Sequence, residues 1–112
     1  MKGTIITIDY PIKMADSFFT RLKGFMFRKD PINNEGIWIK PCNAVHMCFM
    51  RFPLDIVLLN KQNEVVGIYH YLKPWRMTKP VKAAHSTLEL PAGSIEALGI
   101  RNGSTIQCTN LN

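Results

Sequence analysis

The segment from Leu54 to Leu59 constrains the fold more than any other part of this 112-residue chain. It is apolar at both alternating positions except at Asp55, whereas a strand with one solvated face carries a polar residue at every second position. We therefore expect a short strand that is covered on both faces. The aliphatic run at residues 56–59 is far below the roughly 20 residues that a membrane-spanning helix needs, so no membrane insertion is expected.

Other short segments rich in β-branched or aromatic residues lie between Gly, Pro and Asn residues, a pattern typical of strands and turns. A turn at residues 60–64, in which Asn63 tolerates a positive φ, joins two of these segments into a hairpin. The further predicted strands cover residues 4–8, 36–40, 45–50, 65–71, 87–90 and 105–109.

A helix is expected from about Asp16 to Lys23, where a capping residue and an apolar face are followed by the terminator Gly24. Residues 94–98 are expected to form one helical turn. With six to seven short strands and one short helix near the N-terminus, the predicted fold class is mainly β, a compact β-sandwich or barrel. The length and the 46% apolar content suit a single domain over residues 1–112.

Charge and cysteine content narrow the protein class further. The chain carries 14 basic and 8 acidic residues, a net charge of +6. Cys42, Cys48 and Cys108 cannot all pair with one another, which favours reduced thiols packed as small apolar side chains. Polar residues at positions 4, 7 and 9 interrupt any signal-peptide core. We expect a cytoplasmic protein that is a monomer or a weak dimer.

Three motifs resemble those of one known family, domain of unknown function family 192. They are RLKGFMFR at residues 21–28, PLDI at 53–56 and AHSTLELPAG at 84–93, and their order and spacing agree over roughly residues 15–106. The resemblance implies a compact β-sandwich or barrel domain, found in bacteria and archaea and sometimes exported, with no established reaction. Many members carry Phe-Trp-Met-Lys-Asn-Thr before Pro-Leu-Asp, but at residues 45–50 this chain keeps only Met47. It is closer to a variant with Cys, His and then Phe-Met-Arg.

Cys42, His46 and Cys48 are the first candidates for chemistry, because thiolate and imidazole are good zinc ligands. In an extended segment, however, Cys42 would lie about 13 Å from His46, and no further ligands follow at a metal-site spacing. We therefore expect neither a metal nor another cofactor. A nucleophilic Cys48 activated by His46 would need solvent access, whereas the flanking Met47 and Phe49 favour a buried thiol.

Arg51 and Asp55 bracket the turn into the apolar segment 54–59, where charges are costly unless they are paired or liganded. Two interpretations stay open: a structural ion pair, or a pocket in which Arg51 holds an anionic or hydroxylated ligand that Asp55 orients. The leading hypothesis is a binding module for a small polar or anionic ligand or for a protein partner, with no catalytic residue assigned. Its candidate residues are Arg21, His46, Arg51, Asp55 and Glu89.

Glu89 lies between Leu88 and Leu90, so in a strand its side chain points away from the face that those two share. If Asp55 and Glu89 met in space, the two carboxyl groups could work as an acid and a base. This pairing, or thiol chemistry, defines an alternative hypothesis, a small enzyme.

A basic loop at residues 73–82 supports a further alternative, binding to nucleic acid or to an anionic surface. No acidic residue lies between Glu64 and Glu89, and the aromatic residues Tyr69 and Tyr71 precede the loop. Cations for phosphates and aromatic faces for bases suit single-stranded nucleic acid, although no known DNA- or RNA-binding signature is present. The candidate residues are Lys73, Trp75, Arg76, Lys79 and Lys82.

Overall fold

The computed structural model describes residues 3–15, 28–47 and 49–111. These ranges contain seven strands and one short helix. In chain order they are β1 (Ile5–Ile8), β2 (Ile12–Ala15), β3 (Gly36–Ile39), β4 (Leu54–Leu59), β5 (Val65–Leu72), β6 (Ser86–Pro91), α1 (Ser94–Leu98) and β7 (Thr105–Cys108). The mainly β prediction is confirmed. The expected helix at Asp16–Lys23 lies outside the described residues, and the helix that is described lies near the C-terminal end.

The strands form a five-stranded sheet in the order β2-β3-β6-β4-β5 and a two-stranded sheet of β1 and β7. The β2–β3 and β1–β7 pairs are parallel, and the other pairs are antiparallel. Neither sheet closes on itself within the described ranges, so the barrel alternative is not realised there. The two-stranded sheet packs on one face of the five-stranded sheet.

All six residues of β4 are buried, as the sequence of that segment predicts. Odd-numbered positions of β4 and even-numbered positions of β6 contribute to one core, which β1, β7 and α1 cover. This first core includes Ile8, Trp38, Val57, Leu59, Leu88, Leu90, Ile95 and Ile106. Each fully buried aliphatic side chain stabilises the fold by roughly 1.5–3 kcal/mol, so this layer fixes the sheet against its covering elements.

The opposite face of the sheet is covered by loop segments. Ile37 and Ile39 of β3 and Leu54 and Ile56 of β4 pack there in a second core. Their loop partners are Ile32, Met47, Met50 and Phe52. β4 thus contributes to both cores.

The predicted strand at residues 45–50 is wrong for the part that is described. Only an isolated bridge between His46 and Met77 forms there, and Phe49 adopts a positive φ of 63°. A left-handed residue turns the chain out of the extended conformation, so this apolar segment folds as a loop against the second core.

The sequence analysis predicts no strand at residues 12–15, where β2 lies directly after Pro11. The Pro11 carbonyl accepts a hydrogen bond of 3.0 Å from the Gly36 N–H, and β2 continues in register with β3.

The hairpin prediction is confirmed: Asn63 has a φ of 62°, and the Asn60 side-chain oxygen accepts bonds from the Gln62 and Glu64 N–H groups. In the described part of the chain, no helix has the length and apolar character needed to cross a bilayer.

Candidate functional site

The Asp55 carboxylate is fully buried and bonded to backbone N–H groups. Its Oδ1 accepts from Tyr71 at 2.9 Å, and its Oδ2 accepts from Gly93 at 3.1 Å and Ile95 at 2.8 Å. These donors lie at the end of β5 and at the start of α1. Asp55 therefore ties three elements together, as an acceptor for groups that would otherwise be buried without a partner.

Arg51 does not share this environment. It is exposed, and the one salt bridge within the described ranges joins Arg28 to Glu35 at 2.7 Å. The expected ion pair between Arg51 and Asp55 is therefore absent from the described part of the molecule, because backbone donors take up the carboxylate. Anion binding by Arg51 alone stays a prediction, and Arg21 lies outside the described residues.

Glu89 occupies the other face of the sheet. It pairs with Ile37 on β3 and with Ile56 on β4, both members of the second core, whereas Leu88 and Leu90 belong to the first. The predicted direction of its side chain is thus confirmed. Only 5% of Glu89 is exposed, and desolvation by burial raises the pKa of its carboxyl to about 7.

Asp55 and Glu89 consequently cannot work as an acid/base pair. Asp55 pairs with Leu90 across the β4–β6 ladder and faces the first core, so the sheet itself separates the two carboxyl groups. Catalysis by two carboxylates requires both to flank one bond of the substrate. The carboxylate form of the enzyme hypothesis is therefore excluded by geometry.

Two of the three cysteines, Cys42 and Cys108, lie within the described residues. The Cys42 thiol donates to the Ala44 carbonyl at 2.9 Å, and burial raises the pKa of the Cys108 thiol to about 11. Cys42 and Cys108 are free thiols, and Cys48 lies outside the described residues. Among the residues that are described, no group of three or more His, Cys, Asp or Glu side chains could hold a metal.

A shallow groove of about 290 Å³ lies beside Cys42. It is lined by Pro41, Cys42, Asn43, Ala84 and His85. Two of these residues are joined by a main-chain hydrogen bond, in which the Cys42 N–H donates to the His85 carbonyl at 2.9 Å.

The basic loop at residues 73–82 is firmly attached to residues 43–47. Main-chain N–H groups of Met47, Trp75, Thr78 and Val81 donate across this contact at 2.6–3.1 Å, and the Val45 N–H donates to Thr78 Oγ1 at 3.0 Å. On the other side, the Lys79 N–H donates to the Tyr69 hydroxyl at 3.2 Å. The segment predicted as a strand thus serves as the support of the loop.

All five candidate side chains of the loop are solvent-exposed, namely Lys73, Trp75, Arg76, Lys79 and Lys82. Trp75 meets Phe49 edge-on, with 4.9 Å between the ring centroids and 60° between the planes. The structure therefore places cations and aromatic rings together on a surface that backbone hydrogen bonds hold in position.

Sequence analysis misses Phe49 as a member of this surface, because its apolar neighbours favour burial. The contact with Trp75 depends on a loop that brings together residues 26 positions apart, and no local pattern encodes it. The sequence Lys-Pro-Trp-Arg at residues 73–76 does indicate that Trp75 lies in a tight turn, because proline is typical of the second position of such a turn.

The fold and these motifs define a small β-rich domain of a known family. The chain belongs to domain of unknown function family 192, described as "Uncharacterized ACR", whose model matches residues 2–108. This confirms the predicted family.

Relatives in archaea and bacteria are similar over most of the chain. A UPF0127 protein of Pyrococcus furiosus is 37% identical over 111 residues, which cover 95% of this chain and 91% of that protein. A UPF0127 protein of Thermococcus kodakarensis is 32% identical over 103 residues, 88% of this chain and 64% of the relative. A crystal structure of a protein of unknown function from Novosphingobium aromaticivorans superposes with a TM-score of 0.72 at 26% identity, over 82% of this chain and 70% of that one.

Proposed function

We propose that this protein is a binding module that binds nucleic acid through the basic loop at residues 73–82. The observation that carries the proposal is the exposure of four cations on a loop whose main chain is fixed by hydrogen bonds to residues 43–47. A phosphate backbone binds such a surface by releasing its counterions.

Charge complementarity supports nucleic acid as the partner, rather than a partner without charge. Lys73, Arg76, Lys79 and Lys82 lie in a stretch from residue 65 to residue 88 that contains no acidic residue. Because no carboxylate of that stretch neutralises them, their potential is available to an anionic polymer. A fixed loop also loses little conformational entropy on binding.

The first test is fluorescence anisotropy of a labelled 15-nucleotide oligo-dT at a series of salt concentrations. We expect binding at low salt that weakens steeply as salt rises, with about 0.7 lost from the slope of log K against log salt for each phosphate contact removed. The variant Lys73→Glu should weaken binding and reduce that slope.

Lys61→Glu is the matched control, because Lys61 is an exposed lysine in the turn between β4 and β5. Equal losses in Lys61→Glu and Lys73→Glu would mean that only net charge matters and would contradict a defined site. Absence of any anisotropy change at low salt would overturn the proposal.

A further inference from the structure

Three exposed aromatic residues have a backbone conformation that their own side chains disfavour. Phe49, Tyr71 and Trp75 have φ values of 63°, 51° and 68° and are 49%, 51% and 60% exposed. The other two non-glycine residues with positive φ in the described ranges are Asn34 and Asn63, a residue type that tolerates this region. A bulky aromatic residue there is a true outlier.

Trp75 gives the clearest case. The Arg76 N–H donates to the Lys73 carbonyl at 3.2 Å, which closes a turn with Pro74 in the second place and Trp75 in the third. This arrangement matches a type II turn, whose third place needs a positive φ and is ordinarily filled by glycine. Neither the turn nor the core therefore requires tryptophan at this position.

The same residues also expose apolar surface. Backbone strain that folding does not require is typical of binding and catalytic sites, and exposed apolar clusters mark contact surfaces. Phe49 and Trp75 are in mutual contact, and cations at 73 and 76 lie on both sides of Trp75 in the chain.

From this combination we infer that Phe49 and Trp75 form a stacking platform for unpaired nucleobases, so that the ligand of the basic loop is single-stranded rather than duplex nucleic acid. This inference rests on the proposed function. Fixed aromatic faces beside cations bind single strands by stacking on any base, whereas the bases of a duplex are already stacked on one another.

The test compares the full-length protein with Trp75→Gly and Asn63→Gly. Both substitutions place glycine at a positive φ, so both relieve backbone strain and should leave the thermal unfolding midpoint unchanged or raise it by several degrees. Only Trp75→Gly removes a ring of the platform. We expect it to weaken oligo-dT binding roughly 5- to 100-fold, while Asn63→Gly binds as the original protein does.

Two further ligands separate the inference from the proposed function. An abasic oligomer of the same length and charge should bind to the original protein at least as weakly as oligo-dT binds to Trp75→Gly, because it cannot stack on any ring of the platform. A duplex should compete poorly. Equal binding of abasic and normal strands would overturn the stacking platform and leave phosphate binding intact.

Two other outcomes would count against the platform. If the Trp75→Gly midpoint falls by several degrees, the ring is structural and its strain has a folding cause. If oligo-dT does not bind but vesicles of phosphatidylserine and phosphatidylcholine shift the Trp75 emission to the blue, the partner is a membrane surface, and both the platform and the nucleic-acid proposal fail.

Discussion

At the scale of single residues, the two buried acids show how the environment decides the role of a carboxyl group. Asp55 accepts three backbone hydrogen bonds, whereas Glu89 lies between Ile37 and Ile56 on the sheet face that packs in the second core. Burial in apolar surroundings favours the neutral form of an acid, and this is the cause of the raised pKa of Glu89. One acid therefore organises the backbone, and the surroundings of the other raise its pKa.

The raised pKa of Glu89 predicts that stability falls as pH rises. Its carboxyl has a pKa of about 7 in the folded protein, against an ordinary value of 4.5. The folded state thus keeps a proton that the unfolded chain releases between these values, and stability decreases through that interval by up to about 3 kcal/mol. Below pH 4.5 both states hold the proton, and no penalty remains.

Urea unfolding between pH 4 and pH 8 measures this effect. Glu89→Gln cannot ionise, so it should be more stable than the original protein at pH 8 and should show a flatter dependence on pH. The same fall in stability in both proteins would assign the pH dependence to another group.

At the scale of secondary-structure elements, Asp55 joins the β4–β5 pair to the short helix. The register between β4 and β5 shifts at Leu54–Ile56, where Tyr71 donates to the carboxylate. The Gly93 and Ile95 N–H groups donate to it from the start of α1. A five-residue helix is too short to be stable alone, so its position depends on this contact and on packing of Ile95.

Removing the carboxylate should loosen all three elements. We expect Asp55→Ala to lower the free energy of unfolding by about 3–5 kcal/mol, because it leaves three buried N–H groups without a strong acceptor. Asp55→Asn keeps one side-chain oxygen and should lose less. In amide hydrogen exchange, the Gly93, Ile95 and Tyr71 protons should lose protection first, and unchanged protection of these three would contradict the role given to Asp55.

At the scale of the whole molecule, β4 couples two cores through one strand. Val57 and Leu59 belong to the core under β1, β7 and α1, and Leu54 and Ile56 belong to the core under the loops. Because β4 contributes to both cores, displacing this strand would expose apolar side chains of both cores. We therefore expect the two cores to unfold in one cooperative step.

Truncation in either core tests this coupling. Ile56→Ala and Leu88→Ala should each lower the free energy of unfolding by about 2–5 kcal/mol, with coincident transitions by tryptophan fluorescence and by circular dichroism. Two separated transitions in either variant would show that the cores unfold independently.

The sequence alone was sufficient for the features that depend on local sterics and on period-two alternation. These include most strands, the hairpin at residues 60–64 with Asn63 at positive φ, the double-faced burial of β4 and the direction of Glu89. It also indicated free thiols at Cys42 and Cys108 and the exposed cations of the basic loop. Each of these follows from a residue and its near neighbours in the chain, because backbone conformation and side-chain direction are set locally.

The tertiary structure decided which distant groups meet. Asp55 lies 16 residues before Tyr71 and 40 before Ile95, so no local pattern distinguishes backbone donors from Arg51 as its partners. The sheet places Asp55 and Glu89 on opposite faces, and residues 43–47 leave the strand pattern to support the basic loop. Chain folding also brings Phe49 to Trp75. Hydrogen bonding and ring contact act over a few ångströms in space, whatever the separation in sequence. Only the folded molecule therefore shows which of these groups meet.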